Sequence, residues 1–120
     1  MFKSINPFNQ SVIAEFPLHD QHTVDQKLTL AAKAFTSWRR EPYSKRAERM
    51  LHVAAVLRQN KEQYARIITL EMGKAIGEAR GEIEKCAVTC EYFAHHSERL
   101  LTDSIIPTEA KRTYVSYHPT

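Results

Sequence analysis

The stretch from Ala47 to Leu101 constrains this chain most, because apolar residues recur through it at the three- and four-residue intervals of an α-helix. Ser44 is placed to cap a helix whose buried stripe is Ala47, Met50, Leu51, Ala54 and Leu57, with Glu48, Arg49, His52 and Arg58 largely off that stripe. A further helix is predicted from about Lys61 to Met72, with Tyr64, Ala65, Ile67, Ile68 and Leu70 as its apolar positions. Gly73 follows at once. Lacking a Cβ, it suits the left-handed turn that ends a helix. The longest helix then runs from about Ala75 to Leu101, with Ile76, Ile83, Cys90, Phe93 and Ala94 tracking one face.

Gly77 and Gly81 lie one turn apart inside that long helix, and each costs about 1 kcal/mol relative to alanine there. Close approach of a neighbouring element is the expected reason. Glu78, Arg80 and Glu82 surround the pair and exclude a membrane-type glycine contact. Cys86 and Cys90 share one helix face, read here as two reduced core thiols. A disulfide inside a helix has poor geometry, and a zinc site lacks two further ligands.

Upstream, Thr23 is the expected N-cap of a first helix. Its apolar face is Val24, Leu28, Ala31, Ala32, Phe35 and Trp38, and Pro42 closes it. FKSINP and SVIAEFPL, separated by Asn6, Pro7, Asn9 and Gln10, read as a β-hairpin. After Pro107, the run from Thr113 to His118 reads as a strand with no partner nearby in sequence. The fold class is therefore mainly α: an N-terminal hairpin, about four helices and a C-terminal strand. That set does not look like a self-sufficient core.

Composition bounds the functions. The 120 residues are 42% hydrophobic and 26% charged, which suits a globular protein of one domain or part of a larger one. No apolar run approaches the roughly 18 residues of a membrane span. MFKSINPFNQ has neither the apolar core nor the cleavage site of a secretory signal, so a cytoplasmic location is expected. The net charge of +3 is spread among acids; even the densest cluster, Arg39, Arg40, Lys45, Arg46 and Arg49, is broken by Glu41 and Glu48. That pattern fits a solvated helix face better than a nucleic-acid surface.

Chemistry-bearing motifs are missing. There is no G-x-G-x-x-G dinucleotide fingerprint and no phosphate loop around Gly73-Lys74. There is also no H-E-x-x-H and no G-x-S-x-G. The carboxylates Glu78, Glu82 and Glu84 suit solvated pairing with Arg80 or Lys85 along the helix. Glu71 and Lys74, flanking Gly73, suit a helix–turn–helix junction. The six histidines show no chelating spacing, and the adjacent pair His95–His96 points in divergent directions. No residue is expected to be catalytic, cofactor-binding or metal-ligating.

The succession INPFN, AAKAFTSW, the run from Arg46 to Leu101 and TYVSYHP resembles the opening of an NAD(P)-dependent aldehyde dehydrogenase over essentially the whole chain. Its most specific part is EMGK followed by an E-A-x-x-E-I run. Within that family, Trp38, EMGK and YFAHHSE are similar to bacterial succinate-semialdehyde dehydrogenases. The resemblance implies that positions 1–110 form the N-terminal hairpin and helical part of the cofactor-binding domain of an α/β enzyme. Positions 111–120 would then begin the oligomerisation element of a dimer or tetramer. It also implies a cysteine thiolate that attacks the aldehyde, hydride transfer to NADP or NAD, and a glutamate-activated water that releases the acid. That cysteine and glutamate have no counterpart here, so the partner of this segment is the remainder of its own chain. The one site residue the resemblance suggests is Lys85, with Glu82 and Thr89 beside it on a helix that borders the family's substrate entrance. The alternative, from residue pattern alone, is a free-standing helical interaction module with a basic patch at Arg39 to Arg49.

Overall fold

The computed structural model describes residues 1–119. Strands β1 (Phe2–Ile5) and β2 (Val12–Phe16) precede helices α1 (Gln21–Trp38), α2 (Tyr43–Gln59), α3 (Lys61–Met72) and α4 (Ile76–Leu101), and the short strands β3 (Ser104–Ile105) and β4 (Tyr114–Val115) follow.

β1 and β2 pair antiparallel as the sequence predicts, with Phe2 opposite Phe16 and a register irregularity at Ser4/Ile5. The connecting turn is closed by Gln10 N–H donating to the Asn6 carbonyl at 2.8 Å. It requires a left-handed backbone at Gln10, with φ 62°. The hairpin is tied to the helices by Ser4 Oγ, which donates to Glu71 at 2.7 Å.

Two helix starts differ from expectation. Asp20, not Thr23, caps α1: its carboxylate accepts from the Thr23 backbone N–H at 2.8 Å. The carboxylate reaches the N3 position from one turn earlier, so the helix gains the residues from Gln21 onward. α2 begins at Tyr43, after Pro42 with its extended backbone, and has no side-chain cap; Ser44 already lies inside the helix. α3 spans Lys61–Met72 and ends at Gly73, with φ 72°, as its missing Cβ predicts. A Cβ on Gly73 would stand 3.2 Å from Pro7 Cγ.

α4 packs on α2 and α3, and the seam is made of alanines. Ala54, Ala65, Ala79 and Ala87 are at most 1% exposed, and Ile83 is the one large residue among them. Small side chains let the helix backbones close up, since interaxial distance follows the residues at the contact. The close approach expected at Gly77 and Gly81 is absent: an added Cβ at either would meet nothing within 4 Å. Both glycines lie on the half of α4 turned away from its neighbours. The expectation of two core thiols also fails. Cys86 is exposed and Cys90 half-buried, because the core line runs Ala79–Ile83–Ala87 and the cysteines flank it.

The strand near the C-terminus is not without a local partner. β4 pairs antiparallel with β3, Ile105 opposite Tyr114, and Ile106 N–H donates to the Thr113 carbonyl at 2.9 Å. The pairing is two residues long, and its outer edges stay open.

The whole is an open layer. Its radius of gyration is 20.4 Å, against about 14 Å for a compact chain of this length. The apolar face of α1 has no buried residue. Leu28, Leu30 and Trp38 are 63%, 66% and 43% exposed.

Candidate functional site

Lys85 sits two residues beyond Ile83, about 200° around α4, so it projects from the face opposite the alanine seam. It is exposed. Its two companions are engaged elsewhere. Glu82 accepts from Lys74 Nζ at 2.9 Å, bridging the α3–α4 turn to the helix. Thr89 Oγ1 donates back to the Lys85 carbonyl at 2.8 Å. The Glu82 carboxyl is held below the usual carboxylate range, first by the Lys74 hydrogen bond and charge, then by the charge of Lys85. Among the described residues Lys85 forms no ion pair. The structure therefore presents one free ammonium on an open helix face with two exposed apolar residues close by, Val88 and Tyr92.

The other charges serve architecture. Arg58, off the buried stripe of α2, reaches across from that helix to α4. Its Nε donates to Glu84 at 2.8 Å and its two terminal nitrogens clasp Glu91, one at 2.9 Å. Lys61 adds a second contact to Glu84 at 3.2 Å, and Arg80 clasps Glu62 at 2.8 Å. Glu84 and Glu91 are held below the usual carboxylate range, chiefly by their Arg58 hydrogen bonds. The predicted pairing along α4 is thus replaced by pairing between helices. Likewise Glu71 and Lys74 do hold the junction, but through Ser4 and Glu82 instead of each other.

In the basic cluster, three guanidinium groups stack on aromatic rings: Arg39 on Phe35, Arg46 on Tyr43 at 4.4 Å, and Arg49 on Trp38 at 5.3 Å. Lys45 pairs with Glu48 at 3.2 Å. Near them, a cleft of about 180 Å³ separates the start of α2 from the end of α4, with Tyr43, Arg46 and Met50 on one wall and Phe93, Ser97 and Leu101 on the other. Residue spacing gave no sign of this cleft, since its walls are half the chain apart.

The three glycines lie at the end of α3 or inside α4, and none opens a strand-to-helix turn. Among the described residues no glycine-bearing strand-to-helix turn of the kind that cradles a pyrophosphate is formed. No group of three or more His, Cys, Asp or Glu side chains among them is placed to hold a metal ion. No helix is long and apolar enough to cross a membrane.

The described residues thus form a helical layer with one closed seam, an uncovered α1 face and a short two-stranded ribbon. The sequence pattern of the aldehyde dehydrogenase family matches residues 1–120, and the chain belongs to that family. It is 35% identical over 116 residues to a probable NADP-dependent succinate-semialdehyde dehydrogenase of Synechocystis, covering 97% of this chain and 26% of that protein. It is 34% identical over 101 residues to a malonate-semialdehyde dehydrogenase of Listeria monocytogenes, covering 84% of this chain and 21% of the relative. The solved structure of a Streptococcus pyogenes succinic semialdehyde dehydrogenase with NADP+ superposes with a TM-score of 0.88 at 28% identity, over 95% of this chain and 25% of that one. The chain spans about a quarter of the length of these relatives.

Proposed function

We propose that the whole protein is a cytoplasmic, oligomeric aldehyde dehydrogenase that oxidises succinate semialdehyde, or a close carboxylate-bearing aldehyde, to its acid with NADP or NAD. The family match from end to end of the chain carries this reading. The substrate class is supported by two relatives named for semialdehydes that bear a carboxylate. Bound coenzyme supplies the hydride acceptor. The present residues supply scaffolding: positions 1–110 contribute the helical part of the cofactor-binding domain, and positions 111–120 begin the oligomerisation element. None is catalytic, and the 120-residue chain alone is expected to be inactive.

Within that reading Lys85 is the residue that meets substrate. Its free ammonium on the open face of α4 attracts the remote carboxylate at the substrate entrance. Exposed charge pairs are worth about 0.2–1 kcal/mol, so Lys85→Met in the whole enzyme should raise KM for succinate semialdehyde about 1.4- to fivefold and leave kcat unchanged. KM for an uncharged aldehyde should not move. Equal effects on both substrates, or none on either, would remove Lys85 from the site.

The free-standing interaction module is the weaker reading. Such a module needs a core of its own, whereas the apolar face of α1 is uncovered here and the Arg39, Arg46 and Arg49 cations already lie over aromatic rings.

A further inference from the structure

We infer that Cys86 and Cys90 form a dithiol site on α4 for a soft, thiophilic ion that two sulfurs satisfy, the class to which trivalent organic arsenicals belong. The proposed dehydrogenase activity gives these two residues no part, and the inference does not rest on it.

Three observations converge. The first is spacing. Four residues carry a helix through about 400°, so the two cysteines stand on one face of α4, one turn apart. Their Cβ atoms are then about 5–6 Å from each other. A disulfide needs Cβ atoms about 3.5–4.5 Å apart and sulfurs about 2.05 Å apart, which the helix would have to unwind to provide. A bridging ion asks less. Two thiolate–metal bonds of about 2.3 Å each let the sulfurs stand as much as about 4.6 Å apart.

The second is access. Both side chains are free thiols, Cys86 exposed and Cys90 half-buried, because α4 buries Ala79, Ile83 and Ala87 instead. The third is the surroundings, which choose the ion. Among the described residues no group of three or more His, Cys, Asp or Glu side chains is placed around a metal. Glu82, one turn before Cys86, is already held by Lys74 at 2.9 Å. A tetrahedral zinc ion would lack two ligands, whereas an arsenical of the form R–As=O takes two thiols and no more. Thiolates favour such soft ions. Phe93, three residues beyond Cys90 and 47% exposed, borders the same face and offers its ring to the organic group. The reaction balances without an oxidant. Two As–S bonds form, the As=O bond is lost, its oxygen leaves with the two S–H protons as water, and arsenic stays trivalent.

The test uses the whole protein, folded, and phenylarsine oxide. Trypsin cuts after Lys85 and Arg99, so one peptide, 86–99, carries both cysteines. Mass mapping should find that peptide with a single arsenical bridging the pair. The adduct should withstand excess mercaptoethanol and be stripped by ethanedithiol, since a two-sulfur bridge yields only to another dithiol. Cys86→Ser and Cys90→Ser should each abolish the mercaptoethanol-resistant label on this peptide, and the mapping of the unaltered protein stands without either variant. An unlabelled peptide 86–99, labelling that requires denaturant, or a resistant adduct in either serine variant would overturn the proposal. Cysteines elsewhere in the whole protein are read from their own peptides. Turnover before labelling is a separate readout: an active enzyme without the bridge refutes the dithiol site alone, and an inactive protein with it refutes the enzymatic reading alone.

Discussion

Ile83→Ala tests the helix packing most sharply, because Ile83 is the one large side chain in the alanine seam. It is 6% exposed and lies against Leu57, Tyr64 and Ile68, which come from α2 and α3. The substitution removes three carbons, worth about 2.4 kcal/mol at roughly 0.8 kcal/mol per buried methylene. Collapse around the gap is limited, since its walls are anchored on two other helices, so the loss should reach about 3 kcal/mol. With an unfolding entropy of roughly 2.1 cal/mol/K per residue, Tm falls by about 12 °C if the whole chain unfolds as one unit. It falls by about 24 °C if only the α2–α4 unit does. Thermal unfolding followed by far-ultraviolet circular dichroism reads the change. Val88→Ala on the open face, 51% exposed, is the control and should cost no more than about 0.5 kcal/mol. Equal effects of the two substitutions would show that α4 does not use its Ala79–Ile83–Ala87 line to pack.

Further outcomes follow from individual contacts. The Glu84 and Glu91 carboxyls titrate lower in the folded chain than in the unfolded one. Their contribution is therefore complete above the unfolded value of about 4.3 and is lost as pH falls through their lower folded values. Acid titration of helicity should show a cooperative loss in that window, and Arg58→Gln should flatten it. Gly73→Ala should destabilise by about 1–2 kcal/mol for the left-handed backbone alone, with the 3.2 Å approach to Pro7 adding to it; denaturant unfolding measures this. Asp20→Ala should fray the first turn of α1 in amide-exchange measurements. Thr23→Ala should not, because Asp20 receives the backbone N–H of residue 23 and not its side chain. The isolated chain should self-associate through its open strand edges and the α1 face, and sedimentation that shows a dilute, stable monomer would contradict this.

The elements that residue pattern made legible are those set by local chemistry. The end of α3 at Gly73 follows from one missing Cβ, and the hairpin follows from a cluster of turn formers between two β-rich runs. The misreadings share a cause, which is dependence on residues far away in sequence. Arg58 looks like a surface residue until Glu84 and Glu91, 26 and 33 positions on, are brought beside it. Ala54 and Ala65 lie on the apolar stripes that periodicity marks, whereas the close approach expected of α4 at Gly77 and Gly81 is made at Ala79 and Ala87, which the apolar face read along that helix does not include. β3 is two residues long, below what alternation can reveal. Lys85 was legible only through family resemblance. Nothing in the spacing of charges singles it out, and exposure alone suits a surface lysine equally well.

The most direct test of the account is the oxidation of succinate semialdehyde by the product of the complete reading frame that contains these residues, followed as coenzyme reduction with NADP and NAD and run beside the 120-residue chain. The account predicts turnover by the whole protein and none by the chain alone. Turnover by the chain alone, or a folded whole protein inert toward every carboxylate-bearing aldehyde offered, would contradict it.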